Sequence, residues 1–470
     1  MGNDQKLRTV YAPFDGSSIG DVPLAGEVEV DAVLQKATQL HADGNGPSLH
    51  ERINILRRAS EIINERRKEI ATQAAKEGGK PLVDSLVEID RAVDGLEVCI
   101  ETLRAEQGSV VPMRLNQSSQ GRIAFTQSFP IGPVVAVSAF NHPFNLVTHQ
   151  AAPAIAVGNP VIVKPASATP LSAMTFKSIM EEAGLPEGWI EIVNTANSDV
   201  ATKLVTDSRV RFFSFIGSGG VGWRLRSQLA PGVRCALEHG GVAPVIVASD
   251  ADVEKAVTAL TKGGFYHAGQ VCVSVQRIFA HESVYDELVE GITANAKTLT
   301  VGDPTSDKTE VGPIISHREA DRVGQWVDEA VSGGATLAVG GVRLSDSTYS
   351  PTVLLNPPAD SKVSRQEIFG PVVAIFKVSS VEQGISLANN IEFAFQSSIF
   401  TNDIDQAFFA FKRLNASAVM VNDHTAFRTD WMPFAGLGPS GLGIGGMPHT
   451  MHEMQYEKMM VVNTPALATL

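Results

Sequence analysis

The chain has 470 residues, of which 44% are hydrophobic and 19% charged, so it can bury the cores of two or three structural units. Its net charge is −13 and no run of Lys or Arg stands out, which argues against nucleic acid or an anionic membrane as a partner. Segment 1–13 lacks the apolar core of a signal peptide, and the apolar stretch 134–140 is too short to span a bilayer. The spacing of Cys99, Cys235 and Cys272 fits neither a disulfide framework nor a metal site, which predicts a reduced, cytoplasmic setting and no metal.

The first third of the chain has helical patterning. An apolar residue recurs every seven positions from Leu56 to Ile70 among Arg, Glu and Lys, which predicts one amphipathic helix. The Gly-Gly-Lys-Pro run at 78–81 ends it, because glycine supplies a left-handed cap and proline cannot continue a helix. Asp84 stands where an N-cap would begin a second helix.

From about residue 130, short apolar runs alternate with stretches of helical composition. The runs are 134–138, 161–164, 189–193, 212–216 and 245–247, and the helical stretches include 170–183 and 198–206. Buried parallel strands that alternate with helices have this pattern, which predicts an α/β fold with a doubly wound sheet. A second α/β unit is predicted from helices at 252–263 and 282–299 and strands at 277–280 and 372–377.

A glycine-rich loop follows the apolar run 212–216. Residues 217–222 read Gly-Ser-Gly-Gly-Val-Gly and match the dinucleotide-binding fingerprint, in which the backbone approaches a pyrophosphate. Glu238 could then serve as the acidic residue on the ribose, as in an alcohol dehydrogenase. The fingerprint normally lies in the first strand-to-helix turn, however, so this literal interpretation is not favoured.

A second pair of motifs indicates a specific chemistry. Glu-His-Gly-Gly at 238–241 is followed by Gly-Gln-Val-Cys at 269–272. Oxidising an aldehyde with a nicotinamide requires a thiolate to add first, because the tetrahedral adduct can expel hydride and leave a thioester. A carboxylate then activates the water that hydrolyses the thioester. The oxyanion needs hydrogen-bond donors, and Asn141, just past a predicted strand, is a candidate.

With these residues in place, the chain resembles the aldehyde dehydrogenase superfamily over nearly its whole length. Several separated motifs occur in the family's order, which chance does not explain. They are 140–143 (oxyanion asparagine), 163–167 (adenosine ribose), 215–218 with Gly222 (phosphate loop), 237–241 (general base), 269–272 (nucleophile), 367–371 (nicotinamide ribose) and 432–441 (late glycine-rich turn).

The resemblance implies a role for each matched residue. Cys272 attacks the aldehyde, Glu238 activates the deacylating water, and Asn141 helps to bind the oxyanion. The cofactor is NAD or NADP. Its implied contacts are Lys164, Ser167, Gly217, Ser218, Gly222, Glu367 and Phe369.

The resemblance also implies an architecture of three parts and a homodimer or homotetramer. The parts are a Rossmann-like NAD(P)-binding domain (1–109 and 130–239, with 438–458 returning to it), an α/β catalytic domain (240–437), and a small β-ribbon for oligomerisation (110–129 and 459–470).

Two departures from the family pattern bear on specificity. Ser167 stands where many NAD-using relatives have a glutamate; serine near Lys164 tolerates the 2′-phosphate of NADP, which a carboxylate would repel. His142 replaces an apolar residue, and Arg428 lies where the substrate-entrance loop falls. Together they predict a small polar or anionic aldehyde, such as lactaldehyde, glyceraldehyde 3-phosphate or phosphonoacetaldehyde. The alternative is that Arg428 pairs with Asp430 or Asp423 and that His142 only hydrogen-bonds locally.

Two rival functions follow from the same residues. A coenzyme A-acylating relative would resolve the thioester with a thiol, but such enzymes generally lack the glutamate that Glu238 supplies. A non-catalytic cofactor-binding module would not need Cys272, Glu238 and Asn141 together. An aldehyde dehydrogenase that forms a free acid is therefore the favoured prediction.

Overall fold

The protein is represented by a computed structural model that describes residues 6–106 and 108–467. The ends of two predicted parts, 1–5 of the cofactor domain and 468–470 of the oligomerisation element, lie outside the described residues, as does residue 107. The assignment of residues to domains stays a prediction.

Eighteen strands occur in the described ranges. They are β1 (Leu7–Tyr11), β2 (Ser18–Pro23), β3 (Val110–Val111), β4 (Arg122–Pro130), β5 (Val134–Val137), β6 (Val161–Lys164), β7 (Ile190–Ile192), β8 (Phe212–Ile216), β9 (Arg234–Glu238), β10 (Pro244–Val247), β11 (Arg277–His281), β12 (Thr336–Val339), β13 (Thr352–Leu355), β14 (Val372–Val378), β15 (Gln396–Phe400), β16 (Ala418–Val421), β17 (Gly441–Leu442) and β18 (Gln455–Asn463).

Fifteen α-helices occur in the same part of the chain. They are α1 (Glu27–Asp43), α2 (Leu49–Glu65), α3 (Arg67–Gly78), α4 (Leu82–Ala105), α5 (Asn145–Val157), α6 (Leu171–Glu182), α7 (Ser198–Thr206), α8 (Gly219–Arg226), α9 (Val253–Phe265), α10 (Glu282–Thr298), α11 (His317–Ser332), α12 (Lys362–Arg365), α13 (Val381–Asn389), α14 (Ile404–Arg413) and α15 (Met447–Glu453).

The first large sheet has six strands in the order β17-β9-β8-β5-β6-β7, and all its pairings are parallel except that of β17 with β9. Its strands are apolar because helices cover both faces; Val134, Val161 and Phe212 are almost fully buried. The chain runs outward from β5 to β7 and returns on the other side of β5 as β8. This change of direction creates a crevice at the carboxyl ends of β5 and β8.

The second large sheet has seven strands in the order β12-β13-β14-β11-β10-β15-β16, parallel except at β12. Its core includes Val245, Ile278 and Val373, all buried. The two sheets confirm the predicted α/β class with a doubly wound parallel arrangement. The predicted β-ribbon is also present, as a three-stranded antiparallel sheet in the order β18-β4-β3.

The structure corrects two predictions about the first third. The single helix predicted from Leu56 to Ile70 is two helices, α2 and α3, because Arg66 leaves helical geometry (φ −101°, ψ 15°) and its guanidinium binds Glu182. Asp84 is not an N-cap: α4 begins at Leu82, and the Asp84 carboxylate lies in its first turn, where it binds Lys262. The predicted end of the first helical region is right, since α3 ends at Gly78.

Candidate active site

The two large sheets border one cleft with a volume of about 700 Å³. The carboxyl ends of β5, β8 and β9 open on it, and residues 138–142 and 217–218 line it directly after β5 and β8. Glu238 is the last residue of β9, and segment 239–243 leads from there to β10 in the second sheet. Cys272 comes from the other side, in the connection between α9 and β11. Motifs that are far apart in sequence therefore meet in one place.

Cys272 follows a tight turn of unusual backbone geometry. Residues 267–269 have φ values of 48°, 52° and 68°, in the left-handed region that favours glycine. Gly269 is required for a second reason: a Cβ atom there would overlap the carbonyl oxygen of Gly370. The glycine of the Gly-Gln-Val-Cys motif thus lets the turn pack directly against the segment that precedes β14.

Gln270 anchors this turn from inside the protein. It is fully buried, and its side-chain amide donates to the carbonyl of Pro313 (3.1 Å) and accepts the N–H of Ile315 (2.9 Å). Its backbone carbonyl accepts a hydrogen bond from Nδ2 of Asn141 (2.9 Å). Since an amide nitrogen has two hydrogens, one N–H of Asn141 stays free for the cleft beside Cys272. The predicted oxyanion residue and the predicted nucleophile are therefore linked through Gln270.

The electrostatics of the cleft distinguish its thiol from its carboxylate. Burial, with the charges of Glu367 and Glu238, raises the pKa of Cys272 to about 12, while Arg428 opposes the shift. Burial raises the pKa of Glu238 to about 6, and Arg428 again opposes it. At neutral pH Cys272 is consequently a thiol, and Glu238 is a carboxylate that can accept a proton. A carboxyl with a pKa just below neutral is well suited to general-base work.

One end of the cleft combines a helix N-terminus with a second carboxyl. Ser218 precedes α8 without forming a side-chain cap, so the first N–H groups of that helix have no side-chain acceptor there. Gly240 lies against Glu367 so closely that a Cβ atom would overlap the carboxylate. Oε1 of Glu367 is buried without a hydrogen-bond partner among the described residues, and burial raises the pKa of Glu367 to about 8. Phe369, at φ 51°, packs edge-on against Phe140.

The remaining predicted cofactor residues lie after β8, in α8 and at or just beyond the end of β6. Gly217 follows β8, and its N–H donates to the Glu238 carbonyl at 3.0 Å. Gly222 of α8 packs against the ring of His239 with no room for a side chain. Lys164 ends β6, where its Nζ donates to the Pro165 carbonyl (3.0 Å) and burial lowers its pKa. Ser167 is exposed just beyond it.

Arg428 also lines the cleft. Its guanidinium lies 3.6 Å from the centre of the Phe434 ring, and burial lowers its pKa to about 10, so it is charged at neutral pH. Nη1 is buried without a hydrogen-bond partner in the described part of the chain. Asp430, one candidate partner from the sequence, instead binds Arg91 (2.8 Å) and His149.

His142 is nearby but contributes no charge. Its Nε2 is 3.1 Å from the hydroxyl of Tyr266, and burial, followed by the charge of Lys80, lowers its pKa well below the ordinary value. The imidazole is therefore neutral at pH 7. Of the two predicted substrate residues, Arg428 therefore carries a positive charge, and His142 offers a hydrogen bond.

Sequence reasoning missed several residues that shape the cleft. Asp84, Glu88 and Arg91 all line it from α4, at positions one and two helical turns apart. A signal was present: charged residues at the spacing of a helix face, in a helix otherwise rich in apolar residues. His149 and Asp430 had no comparable signal, because their contact joins positions nearly three hundred residues apart.

Comparison with known proteins identifies the chain. The family model described as "Aldehyde dehydrogenase family" matches residues 1–460. The chain belongs to the aldehyde dehydrogenase family. This confirms the predicted class of enzyme, an aldehyde oxidoreductase that uses NAD or NADP, and does not favour the coenzyme A-acylating alternative.

Individual relatives cover almost all of this aldehyde dehydrogenase. A 3-sulfolactaldehyde dehydrogenase of Priestia aryabhattai is 39% identical over 88% of this chain and 87% of the relative. The crystal structure of aldehyde dehydrogenase 21 from Physcomitrella patens, in complex with the reaction product succinate, has a TM-score of 0.94 at 35% identity and covers 98% of this chain and 96% of that one. The glyceraldehyde-3-phosphate dehydrogenase of Methanocaldococcus jannaschii, complexed with NADP, has a TM-score of 0.93 at 34% identity, over 98% and 100% of the two chains.

Two further findings concern the described residues, 6–106 and 108–467. They contain no helix that is both long and apolar enough to cross a membrane. They also contain no group of three or more His, Cys, Asp or Glu side chains that could hold a metal ion.

Proposed function

We propose that this aldehyde dehydrogenase oxidises a short aldehyde with an anionic group to its carboxylic acid. The observation that carries the proposal is Arg428, a half-buried side chain near Cys272 and Glu238 whose Nη1 is buried and which forms no ion pair with a described residue. Two other pairs of charges that line or adjoin the cleft are matched, Asp84 with Lys262 and Arg91 with Asp430. A cation without an ion-pair partner favours a sulfonate, phosphate or carboxylate on the substrate. Relatives named for 3-sulfolactaldehyde and glyceraldehyde 3-phosphate support this class.

In the proposed reaction, the Cys272 thiol loses its proton to solvent, and the thiolate adds to the aldehyde carbon. The free N–H of Asn141 and the backbone N–H of Cys272, which lies near its own thiol, stabilise the oxyanion. The charge of Arg428 favours the thiolate form of Cys272 because it opposes the rise in the pKa of the thiol. After oxidation to the thioester, Glu238 takes a proton from water, and the resulting hydroxide releases the acid.

The nicotinamide cofactor serves as the two-electron oxidant when it is bound. The residues fit it: the uncapped N-terminus of α8, with Ser218, suits a pyrophosphate, and the unpartnered Oε1 of Glu367 suits ribose hydroxyls. Gly217, Gly222 and Phe369 shape the surface against which the cofactor would lie, and Lys164 and Ser167 would contact the adenosine ribose.

The role of Arg428 predicts a change in substrate preference. Arg428→Met keeps an apolar stem over the Phe434 ring and removes the charge. We expect kcat/KM for glyceraldehyde 3-phosphate to fall roughly 10- to 150-fold more than kcat/KM for uncharged glyceraldehyde, the value of one charge-assisted hydrogen bond, because the loss of thiolate stabilisation lowers both alike. Steady-state kinetics with this pair of substrates measures the difference.

Arg413→Met is the matched control, since this arginine lies on α14 over the Phe409 ring, and Arg413 does not line the cleft. It should leave both substrates unaffected. Equal losses for the charged and uncharged aldehydes in Arg428→Met would rule out a role of Arg428 in recognising an anion.

Ser167 predicts the choice between cofactors. We propose that the enzyme accepts NADP, because the exposed Ser167 beside Lys164 would not repel a 2′-phosphate. Ser167→Glu is expected to lower kcat/KM for NADP at least about tenfold and to affect NAD little, since a carboxylate repels the phosphate. Ser167→Gln, of similar size without charge, is the control. No turnover of NADP by the unchanged enzyme at saturating concentration would refute the proposal.

We also propose that the enzyme is a homodimer or homotetramer in the cytoplasm. The three-stranded ribbon leaves apolar side chains exposed on β3, β4 and β18, among them Val110, Met459 and Met460. A contiguous apolar edge of this kind favours contact with a second copy. The three cysteines of the chain form no disulfide, which suits a reducing compartment such as the cytoplasm.

A further inference from the structure

Three charged residues on one face of α4, Asp84, Glu88 and Arg91, line the cleft, and Glu88 differs from the other two in its ion-pair partner. Asp84 and Arg91 bind Lys262 and Asp430, which lie on distant segments. Glu88 instead binds Lys80, from the turn just before α4, and both of these side chains are fully buried. The pair lies beneath the loop that carries Asn141.

Burying a lysine and a glutamate together is costly. Desolvating the two charges opposes folding, and well-packed apolar side chains of similar volume are often at least as stabilising. A gain in stability therefore does not account for the Lys80–Glu88 pair. The carboxylate oxygen of Glu88 that does not face Lys80 accepts hydrogen bonds, which an apolar side chain cannot do.

Oε1 of Glu88 accepts two backbone hydrogen bonds, from the N–H groups of Phe144 and Asn145, both at 2.9 Å. These groups lie at the N-terminus of α5, which has no side-chain cap of its own. Glu88 thus caps α5 from another helix, with the negative charge that a helix N-terminus prefers. The other carboxylate oxygen is held by Lys80, so the orientation of the cap is fixed.

The capped residues end the loop that begins after β5 and contains Asn141. The side-chain amide of Asn141 donates a hydrogen bond to the Gln270 carbonyl. Three residues further along, the backbone N–H of Phe144 donates to the carboxylate of Glu88. We propose that Glu88, oriented by Lys80, is a positioning residue that fixes the amide of Asn141 beside Cys272. The proposal rests on the oxyanion role proposed for Asn141.

A double-mutant cycle tests whether Glu88 acts through Asn141. Lys80→Met with Glu88→Met removes the charges and the cap, whereas Lys80→Met with Glu88→Gln removes the same charges but keeps an acceptor oxygen for the two N–H groups. Each pair is made with Asn141 intact and with Asn141→Ala, and the rate of the first turnover is followed by the absorbance of reduced cofactor with glyceraldehyde 3-phosphate. With Asn141 intact, we expect the Met pair to be roughly 10- to 100-fold slower than the Gln pair, the effect of misplacing a catalytic group by about 1 Å. In the Asn141→Ala background the two should be equal.

Each outcome has a distinct meaning. The same ratio in both backgrounds, or no difference with Asn141 intact, would overturn the positioning role, because the effect of Glu88 would not pass through Asn141. If Asn141→Ala alone leaves the first turnover unchanged, the oxyanion role itself fails, and the proposal with it. If the Met pair does not fold, Glu88→Asp, whose carboxylate is one methylene too short to cap α5, is compared with unchanged Glu88 in both Asn141 backgrounds, and the same criteria apply.

Discussion

Replacing Cys272 by alanine is expected to lower kcat for aldehyde oxidation by at least about 10⁴-fold, because no thioester can form without the sulfur. The binding of NAD or NADP should change little, since the residues proposed to hold the cofactor lie on other segments. Stopped assays for the acid product, together with a fluorescence titration of the cofactor, measure the two effects separately.

The other thiols provide controls. Cys235 is half-buried on β9 and Cys99 is fully buried, and neither lines the cleft, so neither is expected to react with the aldehyde. Cys235→Ala should retain full activity. An alanine at 272 that keeps activity within tenfold of the unchanged enzyme would eliminate Cys272 as the nucleophile.

Replacing Glu238 by glutamine is expected to stop the enzyme after one turnover. The thioester still forms, so a burst of reduced cofactor close to one equivalent per active site should appear, while steady-state kcat falls roughly 10²- to 10⁴-fold, the usual contribution of a general base. Rapid mixing of enzyme with aldehyde and cofactor resolves the burst from the steady state.

The pH profile gives an independent check on Glu238. Its pKa is raised to about 6, so it is protonated below that pH and cannot take a proton from water. Where deacylation limits the rate, kcat should fall about tenfold per pH unit below pH 6. The glutamine variant should lack this acidic limb. Persistence of the limb in that variant would assign it to another group.

Much of the fold could be predicted because buried parallel strands are apolar along their whole length. The runs at 161–164 and 212–216 are β6 and β8 with the predicted bounds. β15 was missed because its first three residues, Gln396 to Ser398, are polar, yet all five residues of the strand are buried. β9 was missed because it is only partly buried near the edge of its sheet. Whether a polar strand is buried depends on tertiary packing, which the local pattern of apolar residues does not predict.

The site divides in the same way. Cys272, Glu238 and Asn141 lie within short motifs, so their proposed chemistry was predictable from residue type and spacing. Their supports were not: Glu88 acts on the backbone of Phe144 and Asn145, and backbone groups leave no trace in the sequence. Likewise, Arg428 and Asp430 are two residues apart, but the Asp430 carboxylate faces Arg91. Only the fold determines which arginine forms an ion pair with Asp430.

In the proposed mechanism, the reaction passes through a thioester on Cys272, which is hydrolysed by water that Glu238 activates. The most direct test is to mix Glu238→Gln with glyceraldehyde 3-phosphate and cofactor, quench in acid, and digest the protein for mass spectrometry. We expect an acyl adduct, close to one per chain, on the peptide that contains Cys272, and no adduct when cofactor is omitted. An adduct on another residue, or none despite a burst of reduced cofactor, would contradict this mechanism.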